Sequence, residues 1–137
     1  MKTRTGFVSN SSSSSFIIAV GKVKNIDKFK EAIGESWEFE FKQVKDISGD
    51  KCVVESFDYD DVSLDVSELD PEDWVFEYYR CEGDDSDFTI YDEDGEFVDY
   101  DYNIDLDDFS QKAHDQLALI DQHATNVQMS YGAGRNG

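Results

Sequence analysis

The chain has 137 residues, 39% of them hydrophobic and 14% aromatic, which is enough for one buried core and too short for two. Thirty-two acidic against 12 basic side chains give a formal net charge of −20, a field that repels nucleic acid and anionic lipid and attracts basic surfaces. No apolar run approaches the roughly 18 residues of a bilayer span. Met1 to Val20 lacks the order of a secretory leader because its serines precede the short apolar run, so the expected compartment is the cytoplasm.

The charge is unevenly placed. Residues 1–52 hold nine bases and seven acids, whereas residues 53–137 hold three bases and 25 acids. Between Asp58 and Asp108 there are 22 acids and one base, Arg80. That stretch carries more than the net charge of the whole chain.

Phe16-Ile17-Ile18-Ala19-Val20 is a continuous apolar run bounded by serines and Gly21, the pattern of a central strand buried on both faces. Asn25 as N-cap, Ile26, Phe29, Ala32 and Ile33 at helical spacing, and Gly34 as a stop predict a helix over 25–33 with Lys24, Lys28 and Lys30 outside. Trp37, Phe39 and Phe41 alternate with Glu38, Glu40 and Lys42, which predicts a strand with one aromatic face. After the turn at Ser48-Gly49-Asp50, Cys52 to Phe57 is expected to return as its antiparallel partner, with Asp58 to Asp61 breaking the pattern.

Trp74 to Cys81 follows Asp70-Pro71-Glu72, where proline suits a first helical turn, but its Val, Phe and Tyr content favours a strand. Phe88 to Glu93 and Glu96 to Tyr102 flank Asp94-Gly95, a strong short-range hairpin signal. Asp105, Asp107 and Asp108 precede Phe109, Ala113, Leu117 and Ile120 at helical spacing, predicting a helix over 106–122. Val127-Met129-Tyr131 reads as an edge strand, and 132–137 as a mobile glycine-rich tail. The expected fold is therefore α+β: a serine-rich leader over 1–15 and a single domain over 16–131 built on a mainly antiparallel sheet with hairpins and about two helices.

Residue chemistry argues against an enzyme. His114 and His123 are nine positions apart, not the four that places two ligands on one helical face, and they read as solvent-facing. Cys52 and Cys81 lack metal-ligand spacing and read as buried thiols without a disulfide. No phosphate-binding glycine loop is present, and with so many carboxylates the adjacency of two acids carries little information. Asp92, Asp94, Gly95 and Asp101 match positions of a calcium loop, but Ile90 would fall on its first ligand position and cannot ligate, so the hairpin turn is preferred. No cofactor and no metal is expected.

The opening Lys2-Thr3-Arg4-Thr5-Gly6-Phe7-Val8-Ser9-Asn10, followed by Ser11 to Ser15 and Phe16, resembles the start of a group of small, uncharacterised phage and bacterial proteins with a basic residue and then FVSNSSSSSF. The resemblance covers about the first 18 residues and implies a phage or mobile-element origin, with residence in the host cell cytoplasm, but no activity. Read from its residues alone, the serine run is expected to be a polar leader that seats the Phe16 strand, the alternatives being an anion site with Lys2 and Arg4 and a place of processing or modification.

Interleaved aromatics (Trp74, Phe76, Tyr78, Tyr79, Phe88, Tyr91, Phe97, Tyr100 and Tyr102) are expected to anchor the acidic stretch to a sheet. Rigid carboxylates can stand in for nucleic-acid phosphates, which in duplex DNA occur about every 1.7 Å of axis. The expected partner is a basic nucleic-acid-binding host protein, such as a defence nuclease or transcription factor, blocked by an acidic mimic. The contact is expected at Asp84, Asp85, Asp87, Asp92, Glu93, Asp94, Glu96, Asp99 and Asp101. The bland reading of the same stretch is a solvated acidic face, and the alternative function is a non-enzymatic structural or assembly protein of a virion or complex.

Overall fold

Phe16 to Val20 are all completely buried, and the strand that contains them, β1 (Ser13–Val23), is the axis of the molecule. The computed structural model describes residues 13–55 and 61–135. After β1 come α1 (Ile26–Ile33), β2 (Phe39–Gln43), β3 (Lys51–Val54), β4 (Val62–Asp65) and β5 (Trp74–Glu82). Then follow α2 (Asp85–Phe88), β6 (Thr89–Tyr91), β7 (Phe97–Tyr100), α3 (Gln111–His123) and β8 (Ala124–Arg135), with 3-10 turns at Val44–Asp46 and Leu106–Asp108. The main sheet has the order β2-β5-β1-β8 and is antiparallel throughout. The chain is a single α+β domain on a mainly antiparallel sheet, as its sequence predicts.

Side chains alternate across a strand, so β1 and β5 supply two cores at once. Ile17, Ala19, Phe76 and Tyr78 face α1 and α3 and pack with Phe29, Ala113 and Ile120. Phe16, Ile18, Val20, Val75 and Tyr79 face the other way, onto Cys52, Val54, Val62 and Leu64 of the β3–β4 hairpin. Three layers result, and burial on both faces is why β1 is uninterruptedly apolar from Phe16 to Val20. The same alternation makes Trp74 to Glu82 a strand: a helix would present only one stripe to one layer.

The helix over Ile26–Ile33 has the predicted caps: Asn25 Oδ1 accepts from the Lys28 amide at 3.1 Å, and Gly34 closes it at φ +64°. Phe29 inserts edge-on among Phe39, Phe41 and Phe76. Lys24, Lys28 and Lys30 remain outside. The hairpin at Asp94-Gly95 forms, with β6 and β7 paired as a separate two-stranded sheet, and Val127, Met129 and Tyr131 lie on the edge strand β8.

Five expectations are corrected. The strand at Cys52 does not return on β2. Instead β3 pairs with β4 and β2 pairs with β5, because Phe39 and Phe41 serve the helical core while Cys52 and Val54 cover the opposite face. Trp37 lies outside β2 and is 63% exposed.

The helix expected from 106 begins at Gln111, since Ser110 is its N-cap and Asp105 and Asp108 instead close a 3-10 turn. His123 is half-buried and stacked on Phe29 at 5.4 Å rather than facing solvent, and His114 is half-buried too. Finally, Cys81 is half-buried, not buried, although no disulfide joins it to Cys52.

Both ends of the expected domain also shift. Ser13 to Ser15 belong to β1 and are buried, and Ala133 to Arg135 belong to β8 and pair with them. A strand continues for as long as its neighbour can satisfy its backbone, and polar composition alone does not end it. Residues 1–12, with Ser11, Ser12 and the part of the leader that carries the resemblance, lie outside the described residues, as do 56–60 and 136–137.

Candidate functional site

Residues 84–108 hold twelve acids and no base. They form a module seated on the end of the main sheet. Asp84 caps α2 by accepting from the Ser86 amide at 2.9 Å, and Asp87 returns the bond by accepting from the Asp84 amide at 2.9 Å. The Ser86 hydroxyl and amide hold the Asp84 carboxyl below the usual carboxylate range. Phe88 is buried beside Gly83, where φ is +80° and a Cβ would stand 3.2 Å from the ring.

Ser13 is the module's docking point. Its amide donates to Asp85 Oδ1 at 2.6 Å, and its hydroxyl lies 3.1 Å from Tyr102 Oη. The Asp101 amide closes the base of the hairpin on the Phe88 carbonyl at 2.7 Å. A chain of ring contacts then runs outward, from Phe88 to Tyr102 at 5.6 Å, Tyr100 at 5.7 Å and Phe97 at 5.1 Å.

At the tip, the Gly95 amide donates to the Asp92 carbonyl at 3.1 Å, and Gly95 takes φ +80°. This is a three-residue loop closed by a left-handed glycine rather than a two-residue turn. Asp92 Oδ1 accepts from the amides of Asp94 and Glu96, each at 2.9 Å. The carboxylate that a calcium loop would use therefore stitches its own turn. Among the described residues no group of three His, Cys, Asp or Glu could hold a metal ion.

All nine predicted contact acids are exposed and fall within this one module. Six of them also work internally: Asp84, Asp85, Asp87 and Asp92 as above, Asp99 accepting from the Tyr100 amide, and Asp101 from the Asn103 amide. Glu93, Asp94 and Glu96 make up the rest of the set, at the tip.

The anchoring role expected of the aromatics splits. Phe76, Tyr78, Tyr79 and Phe88 are buried, but Tyr91 and Phe97 are 59% and 55% exposed, and their neighbours Ile90 and Val98 are exposed as well. The hairpin thus presents apolar groups between its carboxylates. Sequence alternation places these four residues on a strand but does not tell that they stay exposed.

Below the hairpin an open cleft of about 630 Å³ is lined by Glu82, Asp87, Asp101 and Asp108 around an apolar floor that includes Phe88 and Ile104. Glu82 and Asp108 were not among the predicted contacts, since their spacing in sequence does not reveal that a strand end and a 3-10 turn meet here.

Arg80, the single base of the acidic stretch, is already committed beside the cleft. Its Nη1 donates to Glu38 Oε2 and its Nε to Glu82 Oε2, both at 2.6 Å. Partial burial pushes the Glu82 carboxyl up, but bonds from the Ser110 side chain and amide, together with Arg80, outweigh it and hold it below the usual range. Chemically, carboxylates rimming an apolar floor can receive a lysine or arginine side chain, with the charge satisfied at the rim and the aliphatic stem on the floor.

No helix among the described residues is long and apolar enough to cross a membrane. Comparison with protein-family models, curated proteins and solved structures gave no match.

Proposed function

We propose that this chain is a phage-type accessory protein that binds a basic nucleic-acid-handling protein of the host cell and blocks its nucleic-acid groove with the 84–108 module. The observation that carries this reading is the hairpin surface, where exposed Tyr91 and Phe97 are interleaved with exposed carboxylates and no base intervenes. A groove built for nucleic acid offers cations for phosphates and flat apolar or guanidinium surfaces for bases. Carboxylates and rings on one hairpin address both. Opposite fields steer the encounter and raise its rate, while the capped acids of α2 and the stitched turn lower the entropy cost of binding.

The test is capture of partners by the tagged full chain from host lysate, with washes at low and high salt and competition by free DNA. The expected catch is a basic nucleic-acid-binding protein released by either treatment. Reversing Glu93, Asp94 and Glu96 to Lys is expected to abolish capture with an unchanged circular dichroism spectrum, because these three do not stitch the turn. Partners that resist both salt and DNA would defeat this reading and favour the alternative, a non-enzymatic structural or assembly protein of a virion or complex.

A further inference from the structure

The two edges of the main sheet differ. The β2 edge is five residues long and carries Glu40 and Lys42, the kind of charged, short edge that resists pairing. The β8 edge is twelve residues long, and from Ala124 to Gly134 it has no charged side chain, in a protein of net charge −20. Among the described residues no strand pairs with its outer side.

Asn126, at φ +56°, sits where the ladder to β1 shifts register. Such a bulge interrupts an edge locally, and Gln128 onward runs regularly opposite Val20 to Ser13. Val127, Met129 and Tyr131 are exposed, and Val127 and Met129 adjoin a mainly apolar groove formed with Leu106, Leu117 and Ile120, with Asp121 its one charged lining residue.

We propose that the outer edge of β8 pairs antiparallel with the same edge of a second copy of this chain about a twofold axis, joining the two four-stranded sheets. A free edge is a row of backbone donors and acceptors, so its natural occupant is another strand. A basic partner would gain nothing from a stretch that carries no acid. Twofold pairing instead sets like residues near like residues, and a charged strand would repel itself there. The eleven residues from Ala124 to Gly134, uncharged in a highly acidic chain, are the stretch of edge that can tolerate a copy of itself. Val127, Met129 and Tyr131 of each copy then extend the apolar groove across the axis.

The rest of the two bodies repel, and salt screens that repulsion, with a Debye length of about 10 Å at 0.1 M and about 3 Å at 1 M. Dimerisation therefore strengthens with salt, opposite to the capture of a basic protein, so the two readings fail separately.

The experiment is sedimentation of the full chain across micromolar concentrations at low and high salt, for the parent and for Gln128→Lys and Met129→Lys, with circular dichroism as the control for folding. Expected is twice the 15.6 kDa chain mass, favoured by salt, and a return to the single mass in both variants. A parent that stays at the single mass under every condition overturns the proposal, as does a dimer that persists in either folded variant. Should one variant fail to fold, the other decides. A mass above the dimer would show open-ended association in place of the twofold pair and overturn it too.

Discussion

The amide of Ser13, fully buried at the start of β1, donates to Asp85 Oδ1 over 2.6 Å and so ties the acidic module to the central strand. Seventy-two residues separate the two, and this bond, with the Ser13–Tyr102 hydroxyl contact, fixes where the module stands. Asp85→Ala leaves a buried donor unpaired at a cost of about 1–3 kcal/mol. Faster amide exchange is expected across 89–100 while β1 and β5 remain protected. Equal loss of protection throughout the sheet would show that the module is not a separately docked unit.

Arg80 holds two acids, and Glu38 among them is only 2% exposed. Arg80→Leu strands that carboxylate, and the expected loss is about 3–5 kcal/mol in denaturant unfolding. Adding Glu38→Gln removes the uncompensated charge while keeping the acceptor for Ser36, so the double variant should recover part of the loss. A double variant no more stable than Arg80→Leu would place the cost in packing rather than charge.

The Glu82 carboxyl lies below its ordinary value of 4.5 in the folded chain, so folding favours its ionised form. Its contribution is present above that value and is lost as the pH falls through the folded pKa. Glu82→Gln should flatten the acid limb of stability against pH below about 4.5. An unchanged limb would mean that other carboxylates carry it.

Gly21 is held by space rather than by a turn. A Cβ there would lie 2.8 Å from the Phe76 ring, 3.0 Å from the Thr125 carbonyl and 3.2 Å from Val127 Cα. Two of these neighbours are backbone and cannot swing away, so Gly21→Ala is expected to cost about 1–3 kcal/mol. A thermal midpoint within a degree of the parent would contradict the close approach of β8.

Burial pushes the Cys52 thiol up from 9.0 to about 12, and the neighbouring Glu77 carboxylate, 3.5 Å from Sγ, adds to the effect. Folding therefore favours the protonated thiol: this contribution is complete below pH 9.0 and is lost as the pH rises toward about 12. In a Cys81→Ser background, Cys52 should resist alkylation at pH 8 until denaturant is added. Labelling of the folded chain as fast as of the unfolded one would refute its seclusion.

Much of this architecture was legible because it is local. Phe16 to Val20 announces a strand with both faces covered, Asn25 and Gly34 bracket a helix, and Asp94-Gly95 marks a hairpin, each within a window of ten residues or so. The period-2 pattern of Val62, Leu64 and Val66 was equally present, and would have supplied the true partner of β3. The nine exposed acids were also legible as a set, since a run so poor in bases has no internal neutralisation wherever it folds.

What the chain could not declare is which layer each strand serves. Whether Cys52 faces Phe39 or the far side of the sheet depends on contacts with Val20 and Tyr79, remote in sequence, and so the predicted β2–β3 hairpin gave way to two separate pairings. The exposure of Tyr91 and Phe97 has the same origin, because an alternating strand looks alike whether or not another layer covers it. Composition and periodicity determined that this protein is an acidic α+β domain with an aromatic, acid-rich hairpin. Only the tertiary structure decided that Ser13 seats that hairpin, that Glu82 and Asp108 meet in a cleft, and that the largely uncharged β8 forms one edge of the sheet, because burial and docking arise between segments that no local pattern relates.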